Sequence, residues 1–334
     1  RGVRNAVGLG DISGFAKYEV SGSGAAAWLD QILAATIPPI GRMTLAPMLK
    51  DDGKIIGDFS LARLGDTRFL IIGSGIAESY HMRWFLSHLP DDGSVQVKSL
   101  GLDLVGLTIA GPKAREVLQK CSKTNVSHDA MRFMAVREMD VGMTPAIVGR
   151  VSDSGDLGYE IWVKPASLAR LYDDLMAAGT DFDIRPFGAR ALNALRLEKN
   201  YGSWGREYRP LYGPVEVGLD RFVAYDKPAD FIGKAAALAE RDNGGIMRLI
   251  SLAVSAIDAD VIGDEPVSID GAVVGWVTSG GFAHASQTSV ALAMVPKEFA
   301  LRNDGWAVEL LGQSLKASLI NEPLFDANTS RMRS

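Results

Sequence analysis

Short apolar runs with the two-residue period of a strand alternate along this chain with longer segments that have the period of a helix. Small residues separate the two, and a glycine or proline near the first helical position is typical of a helix start. Four units follow this order, each a strand and then a helix: 17–20 with 25–33, 69–72 with 76–89, 107–109 with 113–121, and 159–163 with 166–178. The pattern predicts split βαβ units.

Two further patterns favour an antiparallel α+β fold over a doubly wound parallel sheet. The strands at 55–62 and 69–72 are close enough along the chain to form a hairpin. From about 245 to 325, short strands lie between Gly, Asp and Pro turns such as Asp270-Gly271, which predicts a small β-barrel. We expect a first region of two subdomains at 1–225, a helical link at 226–244 and a barrel domain at 245–334.

Composition narrows the class of partner. A length of 334 residues exceeds what one hydrophobic core usually serves. The net charge of −5 is spread without a basic block, so we expect no nucleic-acid partner. Apolar runs are shorter than the ~20 residues of a membrane helix, so we expect no membrane association. Small-molecule partners are favoured.

Cysteine and histidine usage bounds the chemistry and the compartment. Cys121 is the single cysteine and cannot form an internal disulfide, and the four histidines have no metal-ligand spacing. We therefore expect no metal site and a cytoplasmic location. The chain opens at Arg1 and runs almost at once into a strand, so we expect it to be a piece of something longer.

The most informative stretch is a helix that stops at a charged Gly-aromatic-Gly turn. Residues 196–207 read R-L-E-K-N-Y-G-S-W-G-R-E. This run resembles the R-L-E-K-G-Y-x-x-W-G signature in the folate domain of dimethylglycine and sarcosine dehydrogenases, and more loosely the R-L-E-A-G-x-x-L-Y-G of the glycine-cleavage aminomethyltransferase. The resemblance extends over nearly the whole chain. It implies two interleaved ferredoxin-like subdomains and a C-terminal small β-barrel around a central folate cavity, with tetrahydrofolate as the cofactor.

Asp58 is the candidate catalytic residue. It lies on a strand among apolar residues, where an acid must be paired, solvated or functional. In the resembling families, M-L-N-x-x-G-G-x-x-x-D ends in the acid that faces the reactive folate nitrogens, and Asp58 matches it. The resemblance implies that Asp58 stabilises a cationic iminium and manages a proton. It also implies that Met48 and Leu49, which begin the motif, contact the folate. A solvent-facing strand acid is the alternative for Asp58.

A second motif concerns recognition of the pterin ring. Residues 152–160 read S-D-S-G-D-L-G-Y-E, similar to the family's S-Y-T-G-D-L-G-Y-E. Glu160 matches the glutamate that accepts hydrogen bonds from the pterin, and an acid on an exposed strand face is the alternative. Asp153 stands where the family usually has an aromatic ring that stacks on the pterin, so that stacking surface is absent at this position.

Three further residues complete the candidate cofactor site. Arg196 lies within the motif, and Arg190 matches an arginine of the A-R-D-x-L-R-L-E motif if two extra residues are absorbed before Leu195. Either guanidinium could reach the glutamate-tail carboxylates of folate, and a helix-face salt bridge is the alternative for each. Trp204 matches an aromatic residue at the pocket turn, with buried packing as its alternative.

We expect no flavin site in this chain. Residues 22–27 fit the form G-x-G-x-x-A, but the acid required about 20 residues further on is missing, so a helix start is favoured. The resemblance instead implies a flavin oxidoreductase domain or subunit as a partner.

Three functional hypotheses follow. The first is a tetrahydrofolate-dependent module that traps carbon from an N-methyl amine, as its iminium or formaldehyde product, as 5,10-methylenetetrahydrofolate. The second is a stand-alone folate-dependent demethylase. The third is a degenerate folate fold with a structural or assembly role, which Asp153 makes plausible.

Overall fold

The computed structural model describes residues 1–334 and builds them into two open sheets and one closed barrel. The strands are β1 Val7–Asp11, β2 Ala16–Ser21, β3 Met43–Leu49, β4 Ile55–Arg63, β5 Arg68–Gly73, β6 Gln96–Ser99, β7 Val105–Ala110, β8 Val136–Val141, β9 Thr144–Gly149, β10 Gly158–Val163, β11 Ile184–Phe187, β12 Met247–Val254, β13 Pro266–Ile269, β14 Ala272–Ala283, β15 Thr288–Pro296, β16 Trp306–Leu310 and β17 Gln313–Leu319. The α-helices are α1 Gly2–Asn5, α2 Ala25–Ile32, α3 Glu78–Ser87, α4 Ala114–Cys121, α5 Leu168–Ala178, α6 Ala189–Glu198, α7 Lys234–Asn243 and α8 Ser330–Arg333. None of these helices is both long and apolar enough to cross a bilayer.

The two open sheets are interleaved along the chain. The first has the strand order β11-β1-β7-β10-β9-β8, and the second β3-β4-β5-β2-β6. The chain therefore leaves the first sheet after β1, builds the whole second sheet, and returns at β7. Strands β4 and β5 pair antiparallel, as the hairpin prediction required, and the only parallel pair in either sheet joins β1 to β11. The predicted α+β architecture is confirmed.

Buried strands and amphipathic helices form the core of the first sheet. Every residue of β7 and of β10 is buried, which is typical of strands covered on both faces. Helix α4 buries Ala114, Val117 and Leu118 at the i, i+3, i+4 spacing of one helical face. These side chains join one apolar cluster with Leu171 and Leu175 of α5. The local hydrophobic period thus determines which face of each helix covers the sheet.

The last six strands close into a barrel, in the order β12-β15-β14-β13-β16-β17. Asp270 and Gly271 connect β13 to β14 with φ angles of +49° and +83°, the left-handed backbone of a two-residue hairpin turn. Leu311 and Gly312 form the same kind of turn before β17. The predicted small barrel is confirmed.

Helix α6 and the turn after it contact all three β units. Leu197 packs against Ala283, Val290 and Leu292 of the barrel, while Leu195 packs against Val3 and Ala110 beside the first sheet. Trp204, just beyond the helix, packs against the core of the second sheet. This segment is therefore the place where side chains of the three units meet.

Candidate functional site

One row of cross-strand neighbours builds a wall of a small pocket. Register pairs Glu160 with Thr108, Thr108 with Gly10, and Gly10 with Phe187, so the three side chains stand on one face of the first sheet. Glycine is needed in this row, because a Cβ on Gly10 would lie 2.8 Å from Cζ of Phe187. The pocket measures about 230 Å³ including its open mouth. Its lining residues are Ile12, Thr108, Ser152, Asp153, Ser154, Glu160, Phe187 and Leu192.

Glu160 is a buried acid, and one of its carboxyl oxygens has no hydrogen-bond partner in the chain. Only 6% of the residue is exposed, and its Oε2 atom is buried with no hydrogen bond. Burial, followed by the negative charge of Asp153, raises the pKa of the Glu160 carboxyl. An orphaned buried oxygen costs free energy, typically about 1–3 kcal/mol. The Oε2 atom of Glu160 is therefore available to accept a hydrogen bond from a ligand.

Asp153 is the only exposed residue between Val151 and Glu160. The residue lines the pocket, and the surrounding protein still desolvates its carboxyl. It forms no hydrogen bond or ion pair within the chain, while the hydroxyls of Ser152 and Ser154 bond each other at 2.7 Å. Burial raises the pKa of Asp153, and Arg196 opposes that shift.

Asp58 comes from the second sheet. It lies on β4 opposite Pro47 of β3, and its Oδ1 atom is buried without a hydrogen-bond partner. Burial raises the pKa of Asp58 to about 8, with further contributions from the negative charges of Asp153 and then Glu207. The charge of Asp153, in the turn between β9 and β10, therefore acts on Asp58 on a strand of the second sheet.

Arg196 is held by a buried ion pair at the end of α6. Its Nη1 atom donates to Oε2 of Glu207 at 3.1 Å and to the carbonyl of Tyr201 at 2.9 Å, and its Nε donates to Asn193 at 3.0 Å. Glu207 is fully buried and also accepts a hydrogen bond from Oγ1 of Thr278 on β14, at 2.6 Å. The Nη2 atom of Arg196 makes no hydrogen bond within the chain. The guanidinium thus combines a structural ion pair with one nitrogen that a ligand could use.

Trp204 lies in the turn that Glu207 stabilises. Its ring is half-buried, packs edge-on to His81 with 5.0 Å between ring centroids, and contacts the cores of the second sheet and its neighbouring cluster. Burial lowers the pKa of His81 to about 4, so this histidine is neutral at physiological pH. Trp204 therefore has a packing role in the structure, whether or not it also borders a ligand.

Of the residues expected from the sequence to act on or bind the cofactor, only Glu160 lines the pocket; Asp58, Arg196 and Trp204 lie outside its lining, as do Met48, Leu49 and Arg190. Met48 and Leu49 are both fully buried and belong to two different apolar clusters, since a β-bulge separates them on β3. Arg190 is exposed in the first turn of α6. That helix runs without interruption to Glu198, and the residue four before Arg196 is Leu192, which lines the pocket in place of an arginine.

Phe187 and Thr108 are pocket residues that sequence reasoning missed. Thr108 sits in an apolar strand without a motif of its own. Phe187 had one available signal, the alternating glycines Gly8 and Gly10 near the start of the chain. Alternate glycines on a strand mark the close approach of another group, here the phenylalanine ring.

With this geometry established, comparison with known proteins assigns the family. Two family models cover most of the chain: "GCVT N-terminal domain" matches residues 1–227, and "Glycine cleavage T-protein C-terminal barrel domain" matches residues 248–326. The chain belongs to the glycine cleavage T-protein family. The resemblance seen in the motifs is thereby confirmed.

Relatives in this family include enzymes of two kinds. The mitochondrial dimethylglycine dehydrogenase of Homo sapiens is 35% identical over 332 residues, which cover 99% of this chain and 38% of the relative. The aminomethyltransferase of Geobacillus sp. (strain WCH70) is 27% identical over 97% of this chain and 88% of its own length. The solved aminomethyltransferase T of Bartonella henselae has the same fold, with a TM-score of 0.86 at 24% identity over 97% of this chain and 88% of that one. The chain thus spans well under half of its dehydrogenase relatives.

Proposed function

We propose that this chain is a tetrahydrofolate-dependent one-carbon transfer module that takes carbon from an N-methyl amine of the dimethylglycine or sarcosine type. The observation that carries the proposal is the orphaned Oε2 of Glu160, buried in the wall of a pocket that also contains an aromatic ring. The similarity over 99% of the chain to a dimethylglycine dehydrogenase supports the N-methyl amine as the carbon source.

The residues present fit the ring end of a folate. A carboxylate that lacks a partner matches an amino group and a ring nitrogen that both donate hydrogen bonds. Phe187, on the third strand from Glu160 in the same sheet, adds an aromatic ring to the pocket wall. The free Nη2 of Arg196 supplies positive charge toward an anionic tail.

Tetrahydrofolate, when bound, supplies the nitrogens that accept the one-carbon unit. Glu160 holds the ring in one orientation, and the buried Thr108 beside it helps to keep bulk water away from that face. Asp58 holds a proton that it can release near neutral pH, because burial raises its pKa to about 8. A general acid or base works best when its pKa lies near the operating pH. In this assignment Asp58 manages the proton and Glu160 provides binding.

The amine is oxidised before its carbon reaches this module, and we assign that step to a flavin-dependent domain or subunit. Dimethylglycine dehydrogenase relatives are far longer than this chain, which leaves room in them for another catalytic unit. The resulting iminium or formaldehyde is the donor that the pocket receives.

The test combines binding with product analysis. Calorimetric titration with tetrahydrofolate should give binding in the parent protein. With sarcosine and a purified flavin oxidase that generates formaldehyde, we expect 5,10-methylenetetrahydrofolate to form faster than in the oxidase reaction without this protein. Asp58→Asn should lower that enzymatic increment by roughly 10²-fold and retain folate binding. Failure of the parent to bind tetrahydrofolate would refute the proposal.

A further inference from the structure

More carboxyl groups than cations surround the pocket. Asp153 and Glu160 line it, and the charge of Asp153 also acts on Asp58 of the second sheet. Arg196 is the cation that acts on Asp153, and its Nη1 is already paired with Glu207. Because burial raises the pKa values of Asp58 and Glu160 to about 8, a cation bound in the pocket would favour the ionised forms of these carboxyls.

The carboxyl of Asp153 is not used by its own turn. Ser154 and Asp156 donate their backbone N–H groups to the hydroxyls of Ser152 and Ser154, both at 3.2 Å, so the turn satisfies itself through serine side chains. Asp153 forms no hydrogen bond or ion pair in the chain, and it is the exposed residue in a buried segment. The turn therefore leaves the Asp153 carboxyl, which lines the pocket, without a partner in the chain.

A second, independent observation points to a ligand at the same place. Glu160 is 6% exposed, lines the same pocket, and has a buried oxygen without a partner. Its pKa and that of Asp58 are both raised in part by the charge of Asp153. The charge of Asp153 therefore acts both on the group assigned to folate binding and on the group assigned to proton transfer.

The chemistry of the cation follows from the groups around it. No cluster of three or more His, Cys, Asp or Glu side chains is placed to hold a metal ion. The rest of the wall combines the apolar side chains of Ile12, Phe187 and Leu192 with the hydroxyl-bearing residues Thr108, Ser152 and Ser154. Apolar side chains beside a carboxyl that has no partner suit an alkylated ammonium group, whose methyl groups need apolar contact and whose charge needs a counter-ion.

We propose that Asp153 is a specificity-determining residue that binds the cationic N-methyl ammonium or iminium group of the carbon donor beside the folate site. The inference rests on the proposed function for the identity of the donor as an amine. It assigns the donor its own counter-charge, at a position where the resembling families place an aromatic ring. An aspartate in place of that aromatic ring removes a stacking surface and adds a group that selects for a cation.

The experiment measures two ligands on the full chain. The probes are dimethylammonium chloride, with sodium chloride at equal ionic strength as the reference and isopropanol as an uncharged isostere, and tetrahydrofolate alone. The proteins are the parent, Asp153→Asn, Asp153→Tyr and the control Asp103→Asn, which removes an exposed carboxylate elsewhere. Ligand-observed NMR measures the weak binding of dimethylammonium, and calorimetry measures the binding of tetrahydrofolate.

The two ligands should respond in opposite directions. Asp153→Asn should weaken dimethylammonium by ~10-fold or more, the scale of a charge-assisted contact, and Asp153→Tyr should do the same. Tetrahydrofolate should bind Asp153→Asn as tightly as the parent and Asp153→Tyr more tightly, since a ring adds stacking surface. Asp103→Asn should match the parent for both. A misfolded variant would instead lose both ligands together.

The outcomes separate this inference from the proposed function. If tetrahydrofolate binds and dimethylammonium binds no better than isopropanol, or is unaffected by Asp153→Asn, the inference is overturned and the folate proposal stands. If the parent binds dimethylammonium through Asp153 but does not bind tetrahydrofolate, the cation subsite is supported and the folate proposal fails.

Discussion

Replacing Asp58 with asparagine should stabilise the fold while it damages the chemistry. Asparagine has nearly the same shape but cannot ionise. Burial raises the pKa of Asp58 from 3.8 to about 8, so the folded state holds a proton that the unfolded chain has released. For an acid with a raised pKa, stability present at low pH is lost as the pH rises from the unfolded to the folded value. The parent therefore loses stability over that window, and the variant does not.

The magnitude follows from the size of the shift. Each pKa unit corresponds to about 1.4 kcal/mol, so the full shift sets an upper bound of about 6 kcal/mol above pH 8. Part of the Asp58 side chain remains in contact with solvent, which screens its charge. We expect Asp58→Asn to raise the free energy of unfolding by ~2–3 kcal/mol at pH 8 and by almost nothing at pH 4.

Urea unfolding at pH 4, 6 and 8 measures this difference. Tryptophan fluorescence and far-UV circular dichroism should give coincident transitions with unchanged urea dependence. Asp103→Asn is the matched control, because it removes an exposed carboxylate and should leave stability within ~0.5 kcal/mol at each pH. An Asp58→Asn protein no more stable than the parent at pH 8 would show that this carboxyl carries no uncompensated burial cost.

Three further changes test the rest of the site. Glu160→Gln should weaken tetrahydrofolate by about 1.5–3 kcal/mol in a calorimetric titration, and unchanged affinity would place the ligand elsewhere. Phe187→Leu should keep the apolar volume but lose the flat ring, which weakens tetrahydrofolate by ~1 kcal/mol or more; equal binding would exclude a stacking role. Glu207→Ala leaves the Arg196 guanidinium without its buried partner and should lower the free energy of unfolding by about 3–5 kcal/mol in urea. Glu116→Ala, at an exposed ion pair, should cost under ~1 kcal/mol, and equal losses in the two variants would contradict the assignment.

Local patterns predicted the elements because their causes are local. The helix expected over 25–33 occurs as Ala25–Ile32, and that expected over 113–121 occurs as Ala114–Cys121. In both cases the hydrophobic period and the small residues at the start lie within one short segment. The turn at Asp270-Gly271 was equally readable, since its left-handed backbone favours these residue types.

Site residues depended on information that no short segment contains. Phe187 reaches the pocket only because β11 pairs with β1, which lies at the other end of the first region. Arg190 is on the helix that was expected to end at the Gly-aromatic-Gly turn, but its position around α6 leaves it exposed. Met48 and Leu49 match a motif, yet the bulge between them and the cores on either side determine where their side chains go. The position of a residue in a motif does not by itself determine which way its side chain points.

The early departure of β1 from its own sheet has a consequence for synthesis of the protein. Its antiparallel partner β7 follows about a hundred residues later, and its parallel partner Ile184–Phe187 later still. During translation, β1 has no partner strand until the whole second sheet has been synthesised and has left the ribosome. Contacts so distant in sequence make folding slow, and the waiting strand exposes unpaired backbone groups to other chains. A truncation between β1 and β11 therefore leaves an aggregation-prone segment rather than a smaller working module.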